Sequence, residues 1–307
     1  MGLFVFLPFV LPLSAWPVAR LAENRLHPRT ATRLLTAVAA VLAVCSTLCL
    51  ALLVVVGTAQ LPGNPLPDGW SDPEVRAAVP YDEVAGRVAI PALLAVVAAC
   101  AASAWRHVRV RLRARRALAA LPPGPVAVLP EPAPYAYALP GGPGRGRVVV
   151  SAGMLAGLAS AERRALFAHE RAHLTGRHHR HLLLVDLAAR ANPFLRPLRT
   201  SVAYTAERWA DEEAASVVGS RRTVARAIGR AALISRGAPV ATLAGFAMAG
   251  PVPRRVAALL APAPTGRSWT RTWTALGLAA AGTGASALSS ANSAVTLFTI
   301  LHAATPL

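Results

Sequence analysis

Long uncharged stretches alternate with short, strongly charged ones along this chain. Residues 3–19 carry no charge, although Pro8, Pro12 and Pro17 interrupt them. Leu34 to Thr58 is uncharged throughout, and about 20 apolar residues suffice to cross a bilayer as a helix. Val88 to Trp105 predicts a further span ending in an interfacial tryptophan, and Thr274 to Leu301 another, rich in the Gly, Ala and Ser that allow close helix packing in lipid. The charges between these stretches set the expected orientation. Arg20, Arg25, Arg29 and Arg33 stand against Glu23 alone, which predicts a cytoplasmic loop over 20–33. Residues 59–87 are rich in Pro and Gly and carry Asp68, Asp72, Glu74, Asp82 and Glu83, which predicts an external loop. Six arginines crowd 106–116 directly after a span, so that end is expected in the cytoplasm. The pattern predicts a multi-pass protein of the cell membrane with both ends outside. Three spans fall in 1–116, a soluble cytosolic domain in 117–268 and a fourth span in 269–307.

Composition agrees with a lipid partner. The 307 residues are 54% apolar and only 15% charged, below the quarter usual in soluble proteins. The net charge is +18 and every basic residue is an arginine, as a GC-rich bacterial genome would give. Such a charge also suits nucleic acid. The arginine run abuts a span, however, where lipid headgroups are the nearest phosphates, so no direct nucleic-acid partner is expected. Cys45, Cys49 and Cys100 all lie in apolar runs and read as small buried hydrophobes.

The soluble part carries the chemistry. Val126–Leu129, Tyr135–Leu139 and the β-branched Arg147–Ser151 predict a small sheet or hairpin, and an edge strand there could add an extended peptide. Ser160 to Gly176 predicts a helix, with Ser160 as N-cap and Gly176 as the left-handed residue that ends it. Near its end His169 and His173 stand four apart, on one face, where two imidazoles can reach one zinc ion. Glu170 beside them can take a proton from the attacking water. On a second helical stretch, Glu207 and Asp211 share a face with the small Ala210 and Ala214. Glu207 is the expected third metal ligand, and Asp211 the carboxylate that accepts the free N–H of a ligand histidine. Glu212 and Glu213 are expected to be solvated. His178, His179 and His181 sit among Arg177 and Arg180 and read as a basic face near the membrane.

The runs F-A-H-E-R-A-H (167–173), N-P-F-L-R-P-L (192–198) and A-E-R-W-A-D-E (206–212) resemble the BlaR/MecR family of integral-membrane zinc metallopeptidases. The stretch from Tyr137 to Leu155 is similar to the strand pair before the metal helix in that family and in HtpX-like proteases. Three spans before the H-E-x-x-H domain and one after fit the former better. The resemblance implies a mainly α membrane protein with a cytosolic α+β zincin-like domain. It also implies Zn²⁺ on His169, His173 and Glu207, and Glu170 as catalytic base. The implied substrate is a protein or peptide, a transcriptional repressor among the family's targets. The extracellular penicillin-binding domain of family sensors is not carried over, so β-lactam sensing is not expected. Arg171 is charged where many zincins are not, and is expected to point away from the metal. Tyr204 and Arg208 are candidates for stabilising the oxyanion. The rival reading is a non-catalytic membrane transducer with a structural metal, for which a general base at Glu170 would have no use.

Overall fold

The computed structural model describes residues 2–59, 66–67, 70, 82–141, 146–236, 251–263 and 269–304. Short helical turns over Gly2–Phe6, Leu7–Val10 and Leu11–Ser14 lead into α1 (Ala15–Arg25), and α2 (Pro28–Ala59) follows after Leu26 and His27. Pro8 and Pro12 fall in these turns, and Pro17 falls in the first turn of α1, where its missing N–H costs no helix bond. Next come α3 (Asp82–Ala117), strands β1 (Val126–Leu129), β2 (Ala136–Leu139) and β3 (Arg147–Ser151), and the short α4 (Ala152–Ala156). Helices α5 (Ser160–Thr175), α6 (His178–Ala191), α7 (Arg196–Val218), α8 (Arg221–Ile234), α9 (Val252–Leu260) and α10 (Trp269–Ala303) complete the order. Four helical segments are long and apolar enough to cross a membrane: Phe4–Arg25, Pro28–Ala59, Val84–Ala117 and Gly277–Ala303. Most of the loop expected at 59–87 lies outside the described residues.

The charged stretch expected as a loop over 20–33 is almost entirely helical, because its charges find partners. Glu23 takes the guanidinium of Arg254 at 2.7 Å and a hydrogen bond from Ser201. Arg29 and Arg33, one turn apart on α2, both lie 5.4 Å from the centre of the Trp209 ring. Thr32 Oγ1 donates to Thr205 Oγ1 at 3.0 Å. The first turns of α2 are therefore docked on α7. One buried cluster joins Leu35, Val38 and Leu42 of α2 to Val185 of α6 and Leu198 and Val202 of α7. The six-arginine run likewise continues α3 without a break, to Ala117.

The sheet has the order β1-β3-β2, with β1 parallel and β2 antiparallel to β3. Val148, Val149 and Val150 are buried, which is why the β-branched strand is central and β2 is left as an edge. Ser151 N–H donates to the Tyr135 carbonyl, so Tyr135, Tyr137 and Leu139 bond to β3. By the antiparallel alternation, Ala136 and Ala138 direct their backbone groups toward the free edge.

The ends of α5 differ in detail from expectation. The cap position is Ala159, and Ser160 is the first helical residue. The Glu162 carboxylate accepts the Ala159 N–H at 2.9 Å, so the start of the helix is held by its third residue and not by a serine hydroxyl. At the other end Gly176 is right-handed (φ −73°), and the left-handed residue is Arg177 (φ 51°). Gly176 is needed for space instead: a Cβ there would lie 2.4 Å from His178 Nε2.

Candidate metal centre

Small residues let α5 and α7 approach. Ala168 and Ala214 share one buried cluster, and Ala210 is fully buried. The approach puts His169 Nε2 3.1 Å from His173 Nε2. Glu207 Oε2 lies 3.4 Å from His169 Nε2, and its Oε1 lies 3.4 Å from His173 Nε2. One ligand atom from each of the three residues falls within 4.8 Å of the others. Zinc bonds of about 2.0–2.2 Å place neighbouring corners of a tetrahedron roughly 3.3 Å apart, so this donor set fits the ion. Three protein ligands also leave a fourth position open, as a catalytic site needs.

The far nitrogens of both imidazoles are held as well. His169 Nδ1 lies 3.0 Å from Asp211 Oδ1, within ion-pair distance of that carboxylate. His173 Nδ1 lies 2.9 Å from His178 Nδ1. With Nε2 turned to the metal point, His173 keeps its proton at Nδ1 and donates it to His178. The basic-face reading of His178 is thereby corrected. Its ring is fully buried, 4.5 Å from the Trp209 ring, because the turn at Gly176–Arg177 folds it back onto α5. His178→Ala is expected to weaken zinc binding about 10–100-fold, read by competition with a chelating dye. Unchanged affinity would remove His178 from the site. His181 instead sits 3.2 Å from Thr36 Oγ1 on α2.

Arg255 on α9 had no signal in a chain this rich in arginine. It is buried, with Nη1 2.8 Å from Glu207 Oε2, Nη2 2.6 Å from Asp211 Oδ1, and Nε donating to Asp211 Oδ2 at 2.9 Å. Burial opposes the charge on Glu207, but Arg255, His173 and His169 hold its pKa below the usual carboxylate value. Asp211 is pulled down in the same way against the penalty of burial, chiefly by Arg255.

The two ligand histidines are pushed apart. Burial lowers His173 to about 4. Burial also opposes the charge on His169, yet Asp211 and Glu207 outweigh it and push the pKa up to about 10. A metal-free His169 therefore holds a proton at neutral pH that a metal must displace. Zinc uptake at pH 7 is expected to release about one proton per ion, and affinity to fall as the pH is lowered. Calorimetry in buffers of different ionisation enthalpy reads this directly; uptake without proton release would contradict it.

Glu170 is buried and is not one of the three ligands. Burial raises its pKa to about 7, opposed by His169 and by a bond from the Ala138 backbone of the edge strand. Its Oε2 has no hydrogen-bond partner among the described residues. A cavity of about 400 Å³ opens beside Glu170 and His173, with Tyr137, Ala138, Tyr204 and Arg254 among its walls. Of the two oxyanion candidates, Tyr204 faces this cavity, beneath the Arg254 guanidinium at 4.0 Å. Arg208 points elsewhere and donates to Glu212 at 2.7 Å. Glu212 is not solvated as expected; Arg221 also holds it, at 2.8 Å. Glu213 is exposed and accepts from Trp209 Nε1. Arg171 is exposed, away from the ligand atoms.

Residues 101–190 match the family model described as Peptidase family M48. The matched segment contains the sheet, His169, Glu170 and His173, and ends before Glu207. It supports a metallopeptidase, and the cluster of His169, His173 and Glu207 is compatible with the metal such enzymes use. No curated protein and no solved structure matches the chain at a significant level.

Proposed function

We propose that the chain is a membrane-embedded zinc endopeptidase whose catalytic domain faces the cytosol. The observation that carries this reading is the pairing of three convergent ligand atoms with Glu170, a buried carboxylate that has one oxygen unpartnered and opens on a cavity. A bound zinc ion would polarise the scissile carbonyl and lower the pKa of the attacking water to near 7. Glu170 takes the water's proton and delivers it to the departing amine nitrogen. Its raised pKa suits a group that must both accept and return a proton near neutrality. Tyr204, on the cavity wall, would donate its hydroxyl to the carbonyl oxygen. An extended substrate would lie along the free edge of β2, bonding to the backbone groups of Ala136 and to the Ala138 carbonyl, whose own N–H is held by Glu170.

Docking of α1 and α2 on α7 supports a substrate cut at or near the membrane surface, since the site shares its walls with the span ends. The BlaR/MecR resemblance favours a transcriptional repressor as that substrate. A transducing role has one observation of its own. Glu23 at the end of α1 holds Arg254, and the adjacent Arg255 holds the candidate ligand Glu207, so motion of the first span has a short route to the metal centre. Hydrolysis of a synthetic peptide mixture by the detergent-purified chain, followed by mass spectrometry, tests the proposal. Cleavage that needs zinc and stops with a chelator is expected; cleavage indifferent to both would overturn it.

A further inference from the structure

Among the charged side chains that line the cavity, one arginine is left without a carboxylate partner. Three arginines line the cavity: Arg111 on α3, Arg199 on α7 and Arg254 on α9. Two are matched by carboxylates on the same walls. Arg199 Nε lies 2.9 Å from Asp186 Oδ1, and Arg254 Nη2 lies 2.7 Å from Glu23 Oε2. Arg111 has no carboxylate partner among the described residues; the charges acting on it are those of Arg115 and Arg180. His179 lines the cavity beside it and feels Arg111, Arg180 and Arg177 in turn.

This place differs from the rest of the arginine run. Arg106, Arg109, Arg113 and Arg116 are exposed. Arg111 is half-buried, on the face with His107 and Val110 that turns into the cavity. It also stands at the end of the edge strand. Pro140, just past β2, lines the same cavity, and its carbonyl accepts from Arg115 Nη2 at 2.9 Å, one turn along α3 from Arg111. A peptide lying along β2 past Ala138 and Pro140 would reach Arg111 and His179.

We propose that Arg111 and His179 form an anion-binding subsite that selects a carboxylate in the substrate, resting on the peptidase reading above. A half-buried guanidinium without a counter-charge is costly, and an incoming carboxylate can accept two parallel N–H bonds from it. His179 adds a third donor. Burial and the neighbouring arginines lower its pKa to about 4, so it is neutral at pH 7 and keeps one N–H to give. The carboxylate can come from an aspartate or glutamate side chain or from a free C-terminus, and amidated peptides separate the two sources.

The test reads binding, so it does not depend on turnover. Fluorescein-labelled decapeptides differing only by Glu, Gln or Lys at each position in turn, in amidated and free-acid forms, are titrated into the zinc-loaded full chain carrying Glu170→Gln in detergent micelles. Glutamate at one fixed position is expected to tighten binding about tenfold over glutamine. Arg111→Glu in the same background is expected to reverse the order, so that lysine binds better than glutamate there. Arg111→Gln, which adds no new charge, is expected to abolish the preference and guards against misfolding of the reversal variant. A preference shown only by free-acid peptides assigns the subsite to a C-terminus. Binding blind to peptide charge would overturn the subsite even if the wild type cleaves peptides. Charge preference through Arg111 in a chain that cleaves nothing would uphold the subsite and sink the peptidase reading. Dependence on added phosphatidylglycerol that is equal for all peptides and lost in Arg111→Glu would assign Arg111 to lipid and overturn the proposal.

Discussion

Glu170→Gln is expected to lower peptide hydrolysis by about 10²–10⁴-fold and to leave the bound metal in place. The contacts of Glu170 account for both halves of this result. It is not among the three convergent ligands, so the amide should not cost the ion. Glutamine keeps the shape and a carbonyl oxygen for the Ala138 backbone, so the edge strand should not move. What is lost is the proton acceptor. A structural metal site would be indifferent to this change, so the split between activity and metal content separates an enzyme from a transducer. Full activity in the variant, or loss of the metal with it, would contradict the role given to Glu170.

Arg255→Ala is expected to destabilise the metal-free protein by about 3–5 kcal/mol, the range seen when one partner of a buried ion pair is removed. Glu207 and Asp211 are both buried and share this single guanidinium, and removing it leaves two carboxylates whose remaining partners are the histidines. Zinc brings positive charge to the same carboxylate, so loading should recover part of the loss, seen as a larger metal-induced rise in unfolding temperature than in the wild type. Arg255→Lys should rescue incompletely. It restores the charge without the planar fork that holds Asp211 by two bonds and reaches Glu207 with its third nitrogen. An unfolding temperature equal to the wild type in Arg255→Ala would contradict this account of the pair.

Much of the centre was legible because it is local. His169 and His173 are four apart on one helix, Glu207 and Asp211 four apart on another, and that spacing fixes a shared face wherever the helices go. Small residues at Ala210 and Ala214 indicated which face would meet α5. The strands were legible from their β-branched and apolar runs, but their order was not, because the β1-β3-β2 arrangement depends on non-local pairing. The partners from far along the chain were hidden for the same reason. Arg255 is one arginine among 32, and only folding puts it between Glu207 and Asp211. His178 was nearer to view, five residues past His173 across a glycine. Its polar neighbours made it look exposed, and only the left-handed backbone at Arg177 turns the ring inward. The charges at 20–33 misled in the opposite direction. Hydropathy reads them as a loop, whereas Trp209, Ser201 and Arg254 match them and all but Leu26 and His27 are helical.

The central claim is that His169, His173 and Glu207 hold one metal ion. The most direct measurement is the zinc content of the detergent-purified full chain at neutral pH, beside Glu207→Ala. About one zinc per chain in the wild type, lost in the variant while the fold is retained, is the predicted result. A wild type that takes up no zinc when offered it without chelator, or a Glu207→Ala chain that holds zinc as well as the wild type, would contradict the centre.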